Sequence, residues 1–399
     1  MATEIGSQAD RAKIAAIRDE LPAVRKYIYL NTGTNGPLPR RSHEAMEACA
    51  MDELLEGRIG PEAFARTQAI FAGTRAAVAA LLGCDPDEIA LTHNTTEGLN
   101  IALMGLDWQR GDEIVTAATE HPGGLYPIYL LRQRYGVKIR MTDIGLKDLN
   151  PVAALQNVLS PKTKAVVLSH VSWTTGMVLP IRELADLTHS AGALFICDAA
   201  QACGMVPSNV YELGIDAYAC SGQKWLCGPD GTGALFVRKD RLGEIQQTYI
   251  GYRGIRPGMC DHEGHFVPAE GAHRYEATSL YPPAVKALGV SIDWLANELG
   301  WNWIYARIAA LGQYCYDALA AVDGVMLHTP RKQMAGLVHF SVAGITPADL
   351  TTKLCKRGII IRHTPHPPAN RVSIGFYNTE AEVNQLVEAI AEICKFTSS

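Results

Sequence analysis

One lysine of this chain stands in a setting that favours covalent chemistry over an ordinary surface position. Lys224 lies in DAYACSGQKWLCGPDGTG (216–233), between Cys220 and Cys227 and ahead of a glycine-rich stretch. Asp198 comes 26 residues earlier, at the end of the apolar run ALFIC. A carboxylate at the carboxyl end of a buried strand points into the crevice where open α/β sheets bind ligands. Its burial is costly unless it meets a cation or hydrogen-bond donors.

A lysine and a buried aspartate are what chemistry on pyridoxal 5′-phosphate (PLP) requires. The amine holds the cofactor as a Schiff base, and the aspartate keeps the pyridine nitrogen protonated, so that the ring accepts electrons from a substrate carbanion. Two other interpretations are weaker. Asp198 alone could cap the following helix. A zinc site on Cys220 and Cys227 would lack the usual C-x₂₋₄-C spacing, so no metal is expected.

Three more segments supply groups that a phosphorylated aromatic cofactor needs. In HNTTEGLN, Thr95 and Thr96 precede a helical stretch, where backbone N–H groups and hydroxyls bind phosphate. His121 follows the apolar run EIVTA and can stack on an aromatic ring, although a lone histidine there is more often structural. The segment RYEATS adds the hydroxyl of Thr278. Each signal is weak alone, and together they favour PLP.

The elements that must position these residues follow an alternating pattern. Short runs rich in β-branched residues are separated by helical stretches, which is typical of a mostly parallel sheet with helices on both faces. The predicted strands are EIALT (88–92), EIVTA (113–117), KIRMTDI (138–144), AVVLSHV (165–171), ALFICDA (193–199) and GALFVRK (233–239). Their continuous apolar character predicts that both faces of the sheet are buried.

The chain is long enough for about two domains. The predicted units are an N-terminal segment (1–25) that packs on the smaller domain, a large α/β domain (26–282) and a smaller α+β domain (283–399). Residues 250–282 are rich in Gly, Pro and His, and this composition predicts a long functional loop.

Composition and charge exclude several classes of function. The chain has 399 residues, of which 48% are apolar and 19% charged, and its formal net charge is −5. It offers no basic surface for a phosphate backbone, so nucleic-acid binding is disfavoured. No apolar run approaches the ~18 residues that span a bilayer, and the charged N-terminus does not resemble a signal peptide. Because the ten cysteines are scattered and typical of reduced core residues, we expect a cytoplasmic protein.

The order of these motifs resembles the class V aminotransferase family of fold-type I PLP enzymes. The similar branch holds cysteine desulfurases, cysteine and cystine C–S lyases and isopenicillin N epimerase-like proteins. The similarity runs from YLNTGTNGPLP (29–39) to FYNTEAEV (376–383), and its most specific parts are DAAQ (198–201), SGQKWLCGPDGTG (221–233) and RYEATS (274–279). It implies an α/β fold with a mostly parallel, seven-stranded type of sheet flanked by helices, a smaller α+β domain, and a homodimer.

The resemblance also implies roles for individual residues. Lys224 would carry the cofactor, Asp198 would bind the pyridine nitrogen, and Gln201 would bind the phenolic oxygen. His121 would stack over the ring. Near the phosphate it implies Thr95, Thr96, Ser221 and Gln223, with Thr278 reaching the phosphate of the neighbouring subunit. The family usually has histidine where Gln223 stands, and glutamine donates a hydrogen bond but carries no positive charge.

Two arginines near the end of the chain bear on the substrate. Arg371, which opens RVSIGFYNT, matches the family position that binds the substrate α-carboxylate, a bidentate task suited to a guanidinium. Arg362, on the preceding strand, either pairs with a surface carboxylate or holds a second acidic group of the substrate. The rest of the pocket is expected from residues 31–36, 252–275 and 362–371, with Asn31 and Tyr252 as further substrate-binding candidates.

The segment between the arginines, HTPHPPAN (363–370), bears on the reaction. In cysteine desulfurases this region is a loop with the cysteine that accepts sulfur, and here it has no cysteine. Cys355 lies upstream in a helical stretch and is a poor substitute. Together with the resemblance of WTTGMVLP and TYIGYRG to C–S lyases, this predicts β-elimination from cysteine, cystine or a cysteine S-conjugate, giving pyruvate, ammonia and a thiol or persulfide. The alternative is an aminotransferase or an epimerase-like enzyme on a biosynthetic amino acid.

Overall fold

The computed structural model describes residues 8–146, 150–277 and 280–397. The helices are α1 (Gln8–Glu20), α2 (Ala23–Lys26), α3 (Arg40–Glu56), α4 (Pro61–Leu82), α5 (Thr95–Met104), α6 (Pro122–Tyr135), α7 (Pro151–Gln156), α8 (Ile181–Ser190), α9 (Pro282–Asp293), α10 (Trp301–Ala320), α11 (Pro347–Cys355) and α12 (Glu380–Thr397). The strands are β1 (Ile28–Tyr29), β2 (Ile89–Thr92), β3 (Glu113–Ala117), β4 (Lys138–Thr142), β5 (Thr163–Ser169), β6 (Leu194–Asp198), β7 (Ala217–Ser221), β8 (Gly233–Val237), β9 (Ile255–Cys260), β10 (Phe266–Pro268), β11 (Val325–Leu327), β12 (Leu337–Val342), β13 (Ile359–Ile360), β14 (Arg362–Pro365) and β15 (Pro368–Ser373).

Seven strands form the central sheet, in the order β2-β8-β7-β6-β5-β3-β4. Each pair from β7 to β4 is parallel, and β8 runs antiparallel to both of its neighbours. The mostly parallel, seven-stranded sheet is therefore confirmed. The strand β7 was not among the predicted ones, because AYACS was interpreted only as part of the lysine motif.

The sheet is buried on both faces, as its continuous apolar strands predict. Side chains alternate along β5 between two hydrophobic clusters, with Val166 and Leu168 in one and Ala165 and Val167 in the other. Burying one such valine or leucine contributes about 1.5–3 kcal/mol. This packing fixes where the strands end, and the parallel strands all end at the same edge of the sheet.

The C-terminal part has its own antiparallel sheet, in the order β11-β12-β15-β14. The N-terminal residues join this part, since β1 pairs with β13 and Arg18 of α1 forms an ion pair of 2.8 Å with Glu382 of α12. Residues 28–29, which the sequence assigns to the large domain, thus lie beside the C-terminal sheet. The predicted domain boundaries stay a prediction.

Residues 250–282 are not one continuous loop, because β9 and β10 form an exposed antiparallel hairpin within them. At its tip, ligand-type atoms of Asp261, Glu263 and His265 lie within 4.8 Å of one another. The Asp261 carboxylate accepts the backbone N–H groups of Glu263 and His265, each at 2.9 Å, so these contacts shape the turn. The hairpin was missed because its strands are exposed and lack apolar alternation.

Two expectations from composition concern the cysteines and the membrane. No disulfide bond occurs within the described residues, and six of the ten cysteines are buried, as expected of reduced core residues. Within the described residues, none of the helices combines the length and the apolar character needed to cross a membrane.

Candidate active site

The lysine and the aspartate singled out in the sequence follow neighbouring parallel strands. Asp198 is the last residue of β6, and Lys224 comes three residues after the end of β7. The chain turns at Gly222, where a Cβ would lie 2.3 Å from Thr232 Oγ1, so only glycine fits. Lys224 is half-buried at this edge of the sheet.

The charged groups at this edge of the sheet shift one another's pKa, as Asp198 and Lys224 show. Burial raises the pKa of Asp198, while the Ala200 N–H, 2.8 Å from Oδ1, and the charge of Lys224 oppose that rise. Burial lowers the pKa of Lys224 to about 8, Asp198 opposes this shift, and Arg371 and Arg362 add to it. A pKa near this value leaves roughly a tenth of the amines neutral at pH 7, which suits a nucleophile and a base.

The starts of α5 and α6 meet beside this pair and form a candidate phosphate cradle. The N–H and Oγ1 of Thr95 lie 3.1 and 2.8 Å from Ser221 Oγ, which ties the start of α5 to the end of β7. Thr96 faces the first turn of α6, where a Cβ on Gly123 would lie 2.3 Å from Thr96 Oγ1. Two helix N-termini place partial positive charge here, which favours a phosphate.

Gln223, the departure from the family pattern, follows Ser221 by two residues and offers a polar group to the same end of β7. Its side-chain Oε1 is buried and has no hydrogen-bond partner among the described residues. A buried polar atom left unpaired costs about 1–3 kcal/mol. Rotation of the amide presents its NH₂ group instead, and a phosphate oxygen would accept from it.

His121 is held as a neutral ring at the start of α6. Its Nδ1 accepts the Gly123 N–H at 3.0 Å, so the ring proton is on Nε2. Burial lowers the pKa of His121 to about 4, and the charges of Lys224, Arg362 and Arg371 add to this effect. At neutral pH His121 therefore donates a hydrogen bond from Nε2 and does not act as an imidazolium acid.

Trp173 packs edge-on against this histidine. The two ring centroids are 5.0 Å apart and the interplanar angle is 79°. The Trp173 carbonyl accepts His339 Nε2–H at 2.8 Å, and His339 lies directly opposite Arg371 across β12 and β15. Trp173 thus connects His121 to β12, the strand beside the one that carries Arg371.

A second buried carboxyl, Glu120, lies next to Asp198. It accepts the Ser169 N–H at 2.9 Å and the Ser169 hydroxyl at a short distance. Burial raises the pKa of Glu120 to about 7, the two bonds from Ser169 oppose this shift, and the charge of Asp198 adds to it. Near neutral pH the edge therefore holds one carboxyl that is only partly ionised.

Gln201 is buried, with both ends of its amide in use. Its Nε2 donates to the Gly33 carbonyl at 2.9 Å, and its Oε1 accepts Trp225 Nε1–H at 3.1 Å. The second Nε2 hydrogen remains available for a phenolic oxygen. The role of Gln201 at that oxygen stays a prediction.

Arg362 and Arg371 lie directly opposite each other on β14 and β15. Both guanidinium groups donate to Thr34 Oγ1, Arg371 from Nη2 at 3.1 Å and Arg362 from Nη1 at 3.3 Å. Thr34 in turn donates to Asn31 Oδ1 at 2.8 Å. Asn31, expected to contact the substrate, is therefore engaged by Thr34.

Arg371 is the more deeply placed of the two arginines. Its side chain is buried, and its Nε is unpaired among the described residues. Burial and the charge of Arg362 lower the pKa of Arg371 to about 9, so the guanidinium is still charged at neutral pH. An unpaired buried donor on a cation fits a carboxylate ligand.

One candidate, Tyr252, does not join these residues within one chain. Tyr252 is 73% exposed, and its hydroxyl accepts from Arg253 Nε at 3.1 Å. The Arg253 guanidinium lies over Phe71 of α4, which places Tyr252 on an outer surface. Thr278 lies outside the described residues, and its predicted role stays a prediction.

The residues present fit PLP. The unpaired Gln223 amide atom and the two helix N-termini suit its phosphate. Asp198 has one hydrogen bond to Oδ1, and its Oδ2 faces Gly124, where a Cβ would lie 4.0 Å away. A protonated ring nitrogen would compensate this carboxylate. Lys224, with its lowered pKa, supplies the amine that the cofactor aldehyde needs.

Comparison with known families agrees with this chemistry. The model of the class V aminotransferases matches residues 28–386, most of the chain. The chain belongs to the class V aminotransferase family. Relatives of this family member include a probable cysteine desulfurase of Methanothermobacter thermautotrophicus, 27% identical over 94% of this chain and 97% of the relative. A probable cysteine desulfurase of Chlamydia trachomatis is 33% identical over 80% of this chain and 82% of the relative.

Solved structures of other proteins resemble this class V chain over nearly its full length. The cystine C–S lyase C-DES in complex with its product cysteine persulfide has a TM-score of 0.89 and 30% identity, covering 93% of this chain and 99% of that one. A mutant of C-DES carries glycine covalently linked to PLP, with a TM-score of 0.89 and 30% identity, covering 94% and 99% of the two chains. The apo cysteine desulfurase of Thermococcus onnurineus has a TM-score of 0.87 and 26% identity, covering 99% and 100%.

The family, the fold class and the cofactor predicted from the sequence are thereby confirmed, and this class V chain is a PLP-dependent enzyme. Sequence reasoning did not single out three residues of the site, namely Glu120, Trp173 and Thr34, although Thr34 lies in the segment 31–36 from which part of the pocket was expected. Glu120 had a visible signal, since it is an acidic residue at the end of a buried strand beside His121. Trp173 and Thr34 occur in quoted segments, but nothing local in the sequence marks their contacts.

Proposed function

We propose that this enzyme is a C–S lyase that acts on cysteine, cystine or a cysteine S-conjugate by direct β-elimination. The substrate and one water would give pyruvate, ammonia and the sulfur leaving group, which is hydrogen sulfide from cysteine, a persulfide from cystine and a thiol from an S-conjugate. The observation that carries the proposal is the β14–β15 hairpin, which holds two facing arginines and no cysteine. The similarity to a cystine C–S lyase at 30% identity supports it.

The hairpin argues against a sulfur relay through a protein thiol. The strands pair up to Pro365 and Pro368, which leaves only His366 and Pro367 to connect them. Such a relay needs a thiol on a segment that reaches the substrate sulfur. Cys355 is exposed at the end of α11, before the strand that leads into the hairpin. Direct departure of the leaving group from Cβ needs no such thiol.

In this proposal Arg371 binds the α-carboxylate of the substrate. Its buried, charged guanidinium donates from Nη2 to Thr34 Oγ1 and has an unpaired Nε. A carboxylate can therefore bind this guanidinium in a bidentate manner. The neutral His121 would lie against the cofactor ring with its Nε2–H free to donate. Trp173, edge-on to His121, fixes the tilt of the imidazole.

Lys224 then moves the proton of the reaction. Its Nζ would accept the proton from Cα, and the pKa of about 8 would let it do so near neutral pH. Bound PLP supplies the electron sink for the charge that develops at Cα. Asp198 keeps the ring nitrogen protonated, because its buried carboxylate is compensated only when a cation lies beside it.

The deciding experiment is the release of keto acid by the PLP-loaded protein without any amino acceptor. Cystine, cysteine and bulky S-conjugates are the substrates, and pyruvate, ammonia and thiol are measured together. Equal amounts of pyruvate and ammonia are expected. Turnover only with an added keto acid would show an aminotransferase, and inversion at Cα with the sulfur retained would show an epimerase-like enzyme. Either result overturns the lyase proposal.

A homodimer is part of this proposal. Three tyrosines near the segment of Thr278 are strongly exposed in one chain: Tyr249 at 70%, Tyr252 at 73% and Tyr281 at 56%. Exposed aromatic clusters of this kind suit a protein interface. Thr278 of the partner subunit would then complete the phosphate site, and Tyr252 would face the partner. Sedimentation of the PLP-loaded protein tests the dimer. The cytoplasmic location stays a prediction.

A further inference from the structure

Two buried carboxyl groups lie side by side at the carboxyl edge of the central sheet. Asp198 ends β6 and is 6% exposed, and Glu120, three residues after β3, is 9% exposed. In the described part of the chain neither carboxyl forms an ion pair, whereas the buried carboxylates of Glu276 and Asp216 each pair with an arginine. Glu120 has no part in the proposed reaction, so its burial beside Asp198 asks for another reason.

Ser169 joins the two acids. It is the last residue of β5 and lies directly opposite Asp198 in the parallel pair of β5 and β6. Side chains of directly opposite residues project from the same face of a sheet. The Ser169 N–H and hydroxyl donate to the Glu120 carboxylate, one to each oxygen. Glu120 is therefore fixed beside the strand end that carries Asp198.

The two acids share one proton near neutral pH. Burial raises the pKa of Glu120 to about 7, and the negative charge of Asp198 adds to this rise. Asp198 therefore ionises first, helped by the charge of Lys224. The titratable neighbours of the pair stay neutral, because burial raises the pKa of the Cys197 thiol well above its usual range and lowers that of His121 to about 4.

A cation placed beside Asp198 changes this balance, since a positive charge favours the ionised form of a nearby acid. We propose that Glu120 is a positioning residue for the ring nitrogen of PLP, acting through Asp198. It holds a proton before the cofactor binds, and it ionises when the protonated nitrogen lies beside Asp198. The second negative charge then helps Asp198 to keep that nitrogen protonated.

The protons balance in either protonation state of the incoming cofactor. Glu120 gives its proton to a ring nitrogen that arrives unprotonated, and it gives the proton to solvent when the nitrogen arrives protonated. The inference rests on the cofactor and does not require the lyase reaction.

The test measures protons and the ring nitrogen instead of turnover. Apoprotein is titrated with PLP near pH 7 in buffers of different ionisation enthalpy, and calorimetry then gives the number of protons released. PLP labelled with ¹⁵N at the ring nitrogen reports, by NMR of the loaded protein, the pH at which that nitrogen loses its proton. The variants are Glu120→Gln, which has no proton to lose, and Ser169→Ala, which keeps the acid and removes the hydroxyl.

Wild type is expected to release about half a proton more than Glu120→Gln near pH 7, because an acid with a pKa of about 7 is half protonated there. Ser169→Ala should release more than wild type, since the bond from the Ser169 hydroxyl opposes the raised pKa of Glu120. In Glu120→Gln the ring nitrogen should lose its proton roughly one pH unit lower than in wild type.

Glu113→Gln is the matched control. Glu113 is a buried acid at the opposite end of β3, and it accepts the Ser160 hydroxyl at 2.7 Å, as Glu120 accepts that of Ser169. Its replacement should leave the proton count and the titration of the ring nitrogen at their wild-type values.

Three results would overturn the proposal. An equal proton count in wild type and Glu120→Gln means that Glu120 does not titrate when the cofactor binds. A different count with an unchanged titration of the nitrogen means that Glu120 responds to another part of the cofactor. Equal effects of Glu113→Gln and Glu120→Gln assign the change to lost packing. If Glu120→Gln does not bind PLP, Ser169→Ala decides, and a release equal to or below that of wild type contradicts the proposal.

Discussion

The two edges of the central sheet differ in how fully the protein neutralises their buried charges. At the amino edge, Asp216 precedes β7 with a fully buried side chain. It accepts hydrogen bonds from His189 Nε2 at 2.7 Å and Arg241 Nε at 3.1 Å, and it forms an ion pair with Arg238 Nη2 at 3.0 Å. The Phe195 N–H adds a third hydrogen bond at 2.8 Å. Both oxygens of this carboxylate are thus engaged by the protein.

The carboxyl edge holds cations that lack such compensation. Burial lowers the pKa of Lys224, Arg371 and His121, and neighbouring positive charges add to this effect. Arg371 and Arg362 act on Lys224, Arg362 acts on Arg371, and all three cations act on His121. The acids beside them, Asp198 and Glu120, both have a raised pKa because they are buried.

The contrast separates charge that stabilises the fold from charge that is kept for a ligand. At the amino edge, hydrogen bonds and ion pairs offset the cost of burial, so the cluster contributes to stability. At the carboxyl edge, the cost is left to be offset by a cofactor phosphate, a ring nitrogen and substrate carboxylates. Mutations at the amino edge should therefore lower the stability of the fold, whereas mutations at the carboxyl edge should lower the activity.

The largest effect is expected for Lys224→Ala. Without the amine that carries the cofactor and moves the Cα proton, pyruvate release should fall by ~10³-fold or more. The apoprotein should unfold at the same or a higher urea concentration, because the variant no longer buries an amine whose pKa is lowered to about 8. Activity assays and urea unfolding of the apoproteins check the two halves. A clear loss of stability would break the contrast, since Lys224 would then also support the fold.

The next effect is expected for Asp216→Asn at the other edge. The variant leaves Arg238, Arg241 and His189 without their shared carboxylate, and it should lose about 3 kcal/mol of unfolding free energy. The kcat of the folded, PLP-loaded enzyme should stay unchanged. The matched control is Asp240→Asn, which removes a carboxylate 2.6 Å from the same Arg238. Because the Asp240 side chain is 67% exposed, that change should cost less than about 0.5 kcal/mol.

The pH dependence adds a check on Asp216. Burial alone would raise the pKa of Asp216, but the bonds from His189 and Phe195 and the charge of Arg238 lower it overall. The ion pairs therefore stabilise the fold above the carboxyl pKa of the unfolded chain, about 3.9, and this stability is lost as pH falls through the lower folded value. The gap between wild type and Asp216→Asn should thus be full near neutral pH and should close only in strong acid. A gap independent of pH would mean that packing, not charge, is responsible.

The sequence was informative where one stretch of chain determines the outcome. Continuous apolar runs predicted most strands of the central sheet, since a strand buried on both faces needs no distant information to be recognised. Asp198 and His121 were recognised because each directly follows such a run or lies close to its end. Lys224 was recognised from its flanking glycines and from the family resemblance.

Long-range contacts were beyond the reach of the sequence. Thr34 accepts a hydrogen bond from Arg371, which is 337 positions away in the chain, and no local sequence pattern predicts this contact. Asp216 opens the lysine segment, yet its role depends on His189 and Arg238, which the sheet brings to it. The exposed strands β9 and β10 were missed for another reason, because without burial they have no apolar alternation.

The smallest effect is expected for Glu120→Gln, which tests whether the carboxyl edge costs stability as the contrast requires. The pKa of Glu120 is raised to about 7, so folding favours its protonated form. This contribution is present below the pKa of the unfolded carboxyl, about 4.3, and is lost as pH rises through 7. Urea unfolding of the wild-type apoprotein should therefore show up to about 2 kcal/mol of lost stability between pH 5 and 8.

In Glu120→Gln that part of the slope should disappear, because an amide does not titrate, while the part due to Asp198 should remain. Glu97→Gln is a suitable control, since Glu97 is a partly exposed acid on the neighbouring helix α5 and contacts His93 at the surface. An unchanged slope in Glu120→Gln would mean that the bonds from Ser169 stabilise the carboxylate as fully as the arginines stabilise Asp216. The two edges would then differ only in their cations, and the uncompensated charge of the active site would reside in Lys224, Arg362 and Arg371 alone.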